Sequence, residues 1–75
     1  MDFEKTKIVV KDQENDIKIC SYAAKQIRLY LKTFNQLPDN TQVFSCPDYE
    51  YYFITIDSID PIENEIRCYV DFSAA

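Results

Sequence analysis

Residues 16–35 read DIKICSYAAKQIRLYLKTFN. The point at which this stretch passes from a period of two to a period of 3.6 decides the fold. Asp16 to Cys20 alternates, with Ile17 and Ile19 on one side, which is the pattern of a half-buried strand. From Tyr22 to Asn35 the period is helical. Ala23, Ile27, Tyr30, Leu31 and Phe34 share one face, and Lys25, Arg28 and Lys32 share another. Ser21 is the predicted N-cap, although no Glu or Gln follows at the capping-box position. Asn35 ends the run and Pro38 forbids its continuation.

Working outward toward the N-terminus, Thr6 to Lys11 reads as a strand. Ile8 and Val10 alternate with Lys7 and Lys11, and Val9 interrupts the alternation. Asp12-Gln13-Glu14-Asn15 has turn composition, with Asn15 the residue there that best tolerates a positive φ. The two alternating runs therefore predict an N-terminal hairpin.

Toward the C-terminus, Val43 to Cys46 is a short strand ended by a Pro47-Asp48 loop. Glu50 to Ser58 is the strongest strand signal, because Tyr51 to Ile56 are all β-formers. Asp60-Pro61 opens a turn that Asn64 closes. Ile66 to Phe72 alternates cleanly: Ile66, Cys68, Val70 and Phe72 point inward, and Arg67, Tyr69 and Asp71 point out. Glycine is absent from the 75 residues, so the turns must rely on Asn, Asp and Pro. The expected fold is α+β, in the order β-β-α-β-β-β. It consists of an antiparallel sheet of about five strands with one helix packed on one face. The chain reads as a single domain over 1–75, without repeats or a linker.

The segment from Gln26 to Phe72 contains an amphipathic helix, the element Leu37-Pro38-Asp39-Asn40-Thr41-Gln42-Val43, a short strand, and a closing hairpin around Asp60-Pro61-Ile62-Glu63-Asn64. In this it resembles a type of small phage and prophage protein of unknown function. The N-terminal segment and the glycine-free turns depart from that pattern. The resemblance implies a helix leading into a strand and a closing hairpin. It transfers no functional residues.

Composition narrows the chemistry. The chain has no histidine, so nucleophilic triads and most general-base mechanisms lose their commonest member. Cys20, Cys46 and Cys68 are odd in number and widely spaced, which suits neither a disulfide framework nor a zinc site. Cys68 is expected to serve as a small buried hydrophobe. No Gly-rich loop is available to cradle phosphate. The N-terminal decapeptide lacks the apolar run of a signal peptide, and no stretch is long enough to span a bilayer. A cytoplasmic location, in the host if phage-encoded, is the expectation. No enzyme activity, metal or cofactor is expected.

Charge is uneven. Residues 1–34 carry seven basic and five acidic side chains, whereas residues 35–75 carry Arg67 against eight acids, within a net charge of −5. Such asymmetry suggests a polarised surface able to attract a basic protein partner and to repel nucleic acid. Three surfaces follow from the residues. Asp57, Asp60, Glu63 and Glu65 cluster around the closing turn, where they read as a solvated acidic tip. Lys25, Arg28 and Lys32 form a helix stripe that could touch phosphates, a weak footprint on so acidic a chain. Tyr51, Phe53 and Tyr69 would share the outer sheet face, with Val9, if Tyr52, Ile54 and Ile56 face the helix. Tyr-rich patches are enriched at interfaces. The expected function is that of a non-enzymatic accessory or inhibitory protein. It would dock this Tyr-rich, acidic hairpin face on a basic partner surface, where its acids could imitate the charge of nucleic acid. The alternatives are a homodimer or larger homo-oligomer built through the sheet face, and weak nucleic-acid binding through the helix stripe.

Overall fold

The computed structural model describes residues 2–12, 16–46 and 49–71. Its order is β1 (Lys7–Lys11), α1 (Ile17–Phe34), β2 (Val43–Cys46), β3 (Tyr49–Asp60) and β4 (Glu65–Asp71). The four strands form one sheet in the order β1-β4-β3-β2. β2, β3 and β4 run as an antiparallel meander, and β1 lies parallel to β4. The helix therefore carries the chain from one edge of the sheet to the other, and the meander fills the gap. The class is α+β with one helix on the sheet.

Two expectations are corrected. The sheet has four strands among the described residues, not five, and it is mixed rather than wholly antiparallel. Both corrections have one cause. Residues 17–20 are the first turn of α1 and not a strand. Asp16, rather than Ser21, is the N-cap: its carboxylate accepts the Lys18 and Ile19 amides at 3.0 and 3.3 Å. That satisfies two of the donors a helix start leaves free. Asp12 adds a further bond by accepting the Asp16 amide at 3.3 Å. Ile17 and Ile19 look alike in sequence but part in the structure. Ile19 is buried, whereas Ile17 is 80% exposed. With the hairpin partner gone, β1 takes its bonds from β4. The proposed Asn15 turn and the Pro47-Asp48 loop lie outside the described residues, as does Phe72.

The helix buries Ile19, Ala23, Ile27 and Leu31, a stripe with a spacing of four, against Ile66, Cys68 and Val70 of β4, Tyr52 and Ile54 of β3, and Phe44 of β2. It rests chiefly on β1 and touches β4. The side toward β2 is filled by aromatics. Tyr30 meets Phe44 edge-on at 6.0 Å between ring centroids, and Phe44 stacks on Tyr52 at 5.6 Å. Phe34, expected in the core, is 57% exposed and leans on Tyr30 at 4.6 Å. It belongs to the last turn, beyond the end of the buried stripe.

Asn serves where glycine would be the usual choice. Asn35 is left-handed at φ 52° and donates its amide to Leu31 O, closing the helix. Asn64, also at φ 52°, ends the β3–β4 turn. Among non-glycine residues, Asn enters this region at the least cost. The Leu37–Val43 element is structural. Leu37 packs on the core and Pro38 is buried. Asp39 accepts the Thr41 amide at 2.8 Å and the Thr41 hydroxyl. Among the described residues, no helix is long and apolar enough to cross a membrane.

Candidate protein-binding face

Strand pairing determines which residues share the sheet face turned away from α1. Residues directly opposite in register point to the same side. Ile54↔Val70 and Ile56↔Cys68 lie beneath the helix. The intervening residues must therefore face outward: Phe53↔Asp71 and Thr55↔Tyr69 between β3 and β4, Val43↔Phe53 toward β2, and Val9↔Arg67 and Lys11↔Tyr69 toward β1. Tyr51 lies two residues before Phe53 on the same side, and their rings meet edge-to-face at 6.2 Å. Tyr51 and Phe53 are half-buried, and Tyr69 is 43% exposed. No described element covers this face.

The four acids do not act as one group. β3 bulges between Ile56 and Ser58, so Asp57 is the extra residue and stands exposed where the ladder shifts. Asp60 accepts the amides of Ile62 and Glu63 at 3.0 and 3.1 Å, so its carboxylate caps the turn. Glu63 is exposed at the tip. Glu65 is held between two cations, Arg67 Nε at 3.1 Å and Lys7 Nζ at 3.8 Å, and its side chain is only 13% exposed. The structure thus sets Asp57 apart at the bulge and Glu63 at the tip, while Asp60 and Glu65 lie opposite one another in the ladder, each engaged by other groups.

The face is also less acidic than the sequence suggests. Parallel pairing brings Lys7 and Lys11 of β1 alongside β4, where they join Arg67, Glu65 and Asp71. The sequence reading set Val9 on this face without counting the two lysines that flank it on the same side. Once β1 is assigned to β4, they become part of the surface, as does Val43 of β2, which is exposed on the same side.

The helix stripe is broken up as well. Arg28 turns inward to donate to Thr6 O at 2.6 Å and Glu4 O at 3.4 Å, which leaves Lys25 and Lys32 exposed. Among the described residues there is no group of three or more side chains suited to a metal ion. Cys20 and Cys68 are free thiols. Burial pushes Cys68 up to about 12, with Cys20 adding to the effect. Cys20 is raised by burial and then by Asp12 and Asp16. Both thiols are therefore poorly ionised near neutrality, the opposite of a reactive cysteine. No family model, curated protein or solved structure matches the chain.

Proposed function

We propose that this chain is a non-enzymatic protein-binding domain that docks through its outer sheet face. The observation that carries the reading is the placement of Tyr51, Phe53 and Tyr69 on one side of β3 and β4 that no described element covers. Aromatic side chains with a polar tip bring large contact area at low entropic cost, which is why they recur as binding anchors. Asp57, Asp60 and Glu63 supply negative charge at the hairpin end, further along β3 from the aromatics, suited to a basic partner surface that spans both. Lys7, Lys11 and Arg67 make the remainder of the face mixed, which favours a partner matched in pattern over a simple imitation of nucleic-acid charge. An accessory or inhibitory role of phage type fits a domain of this size and rests on the sequence resemblance.

The test compares the wild type with Tyr51→Lys/Tyr69→Lys as affinity baits in extracts of the native host. A partner retained by the wild type, lost with the double variant, and released as salt rises supports the reading. If both baits retain the same proteins, it is wrong. Light scattering on the same preparations distinguishes the homo-oligomeric alternative. A monomer at micromolar concentration removes that alternative, and a dimer abolished by the double variant replaces the proposed partner with a second copy.

A further inference from the structure

A second surface lies along the free edge of β1, and shares only Lys7 and Lys11 with the outer face. Lys7 donates its amide to Asn64 O at 2.9 Å. In a parallel ladder a residue directs its amide and carbonyl to the same neighbour, and the next residue directs both the other way. Lys7, Val9 and Lys11 thus bond to β4, and the amides and carbonyls of Ile8 and Val10 face away from the sheet. Thr6 shares their orientation, but Arg28 occupies its carbonyl. Among the described residues, the edge is therefore blocked at Thr6 and open from Ile8 to Val10.

Beside that open stretch lies a groove of about 390 Å³ between β1 and the first half of α1. Its apolar lining comes from Ile8, Val10, Ile17, Cys20 and Ala24. On the other side of the strand the exposed Lys7 and Lys11 flank Val9. Proteins commonly guard an edge with lysine against pairing with a second copy. Here the guard is specific. Two β1 strands fully overlapped in antiparallel register would set Lys7 against Lys11 twice, a like-charge cross-strand pairing. A strand bearing acids at those two positions would gain instead.

We propose that β1 accepts an extended peptide by strand addition. The peptide carries acidic residues four apart, opposite Lys7 and Lys11. Between them, aliphatic residues at the alternate positions enter the groove beside Ile8, Val10 and Cys20. Main-chain bonds to Ile8 and Val10 hold the peptide, and the two lysines select its charge, Lys7 sharing its ammonium between the peptide acid and Glu65 at 3.8 Å. Asp12, at the groove's end, is turned toward the helix start, where it accepts the Asp16 amide.

The test titrates the intact protein with Ac-Glu-Val-Thr-Val-Glu-NH2 and follows backbone amides by NMR. The expected result is a shift and slowed hydrogen exchange at Ile8 and Val10, with further shifts at Cys20 and Ala24. N-methylation of the peptide should abolish binding on one alternating set of its amides and be tolerated on the other. The matching lysine peptide should bind about fivefold more weakly or not at all, and Lys7→Glu/Lys11→Glu should reverse that order. Four results overturn the proposal: no shift at millimolar peptide, shifts confined to outer-face amides such as Thr55 and Tyr69, equal binding of the two peptides, or indifference to N-methylation. The peptide and its methylated forms leave the protein unaltered, so a variant that fails to fold does not obscure the outcome.

Discussion

Arg28 Nη2 donates to the Thr6 carbonyl at 2.6 Å, tying the middle of α1 to the residue that precedes β1. A second donor of the same guanidinium reaches Glu4 O at 3.4 Å. Thr6 is itself buried. Its hydroxyl donates to Asp2 O at 2.8 Å and lies 2.8 Å from the Asn64 side-chain amide, which donates to the same carbonyl at 3.1 Å. Helix, N-terminal turn and β3–β4 turn thus meet at one polar knot. Arg28→Ala is expected to lower stability by about 1–2 kcal/mol, since a charged donor is lost from a half-buried site. Arg28→Lys should recover only part of this, because an ammonium cannot reproduce the fork. Urea unfolding of the three proteins checks it. Equal midpoints would mean the clamp contributes nothing.

The first turn of α1 provides the second prediction. Asp16→Ala removes the cap and should cost about 1 kcal/mol. Hydrogen exchange at Lys18 and Ile19 should quicken more than at Ile27. If residues 17–20 were a strand, exchange would instead change at their sheet partners, so the site of the effect decides between the two structures.

That ambiguity shows what was legible in the sequence. The middle of the buried stripe (Ala23, Ile27 and Leu31), the three C-terminal strands and the Asn35 stop could all be read, because each rests on a local period or a local turn preference. The helix start could not. Ile17 and Ile19 satisfy a period of two, while Ile19, Ala23 and Ile27 satisfy a helical one. The capping carboxylate of Asp16 was hidden by its resemblance to a turn residue. The error spread, because the partner of β1 is a non-local fact that no period encodes. What it hid was that Lys7 and Lys11, on the same side as Val9, stand next to Glu65 and Tyr69 of β4. The phase of β3, by contrast, followed once Ile54 and Ile56 were set beneath the helix. Its bulge at Asp57 left no sequence mark, since without glycine no residue there advertises an irregular backbone.

The alkaline limb of stability should report on Cys68. The residue is 2% exposed, and burial pushes its thiol up to about 12 in the folded chain. The unfolded thiol ionises near the ordinary value of about 8.5. Above that value the unfolded state has lost a proton that the folded state keeps. Stability is thus fully present below the unfolded value and falls as pH rises toward the folded one, by at most about 1.4 kcal/mol per pH unit. The difference in unfolding free energy between the wild type and Cys68→Val should narrow or change sign from pH 8 to pH 11. A constant difference would reject the buried neutral thiol. In the native state, alkylation should reach Cys20 before Cys68.

Thr41 should control the ionisation of Asp39. The Thr41 hydroxyl, then its amide, hold the Asp39 carboxyl below the ordinary carboxylate range. A depressed folded value means that the contribution of this turn is present above the unfolded value and is lost as pH falls through the folded one. In Thr41→Val the hydroxyl bond is gone and the amide bond remains, so NMR titration should find Asp39 raised toward its ordinary value. An unchanged titration would show that the hydroxyl does not engage the carboxylate in solution.

The two sides of the sheet should respond differently to substitution. Ile54 is fully buried beneath α1, and its truncation to Ala removes core volume that a 75-residue chain has little means to refill. A loss of about 2–5 kcal/mol is expected, enough to unfold much of a marginal domain. Tyr69 stands on the outer face, and Tyr69→Lys should change stability by no more than about 0.5 kcal/mol. Thermal unfolding monitored by circular dichroism measures both. The contrast bears on function as well as fold. A Tyr69→Lys protein as stable as the wild type but unable to retain a partner isolates binding from folding. A large loss of stability on Tyr69→Lys would place that ring in a packed interior, where it could not anchor another molecule.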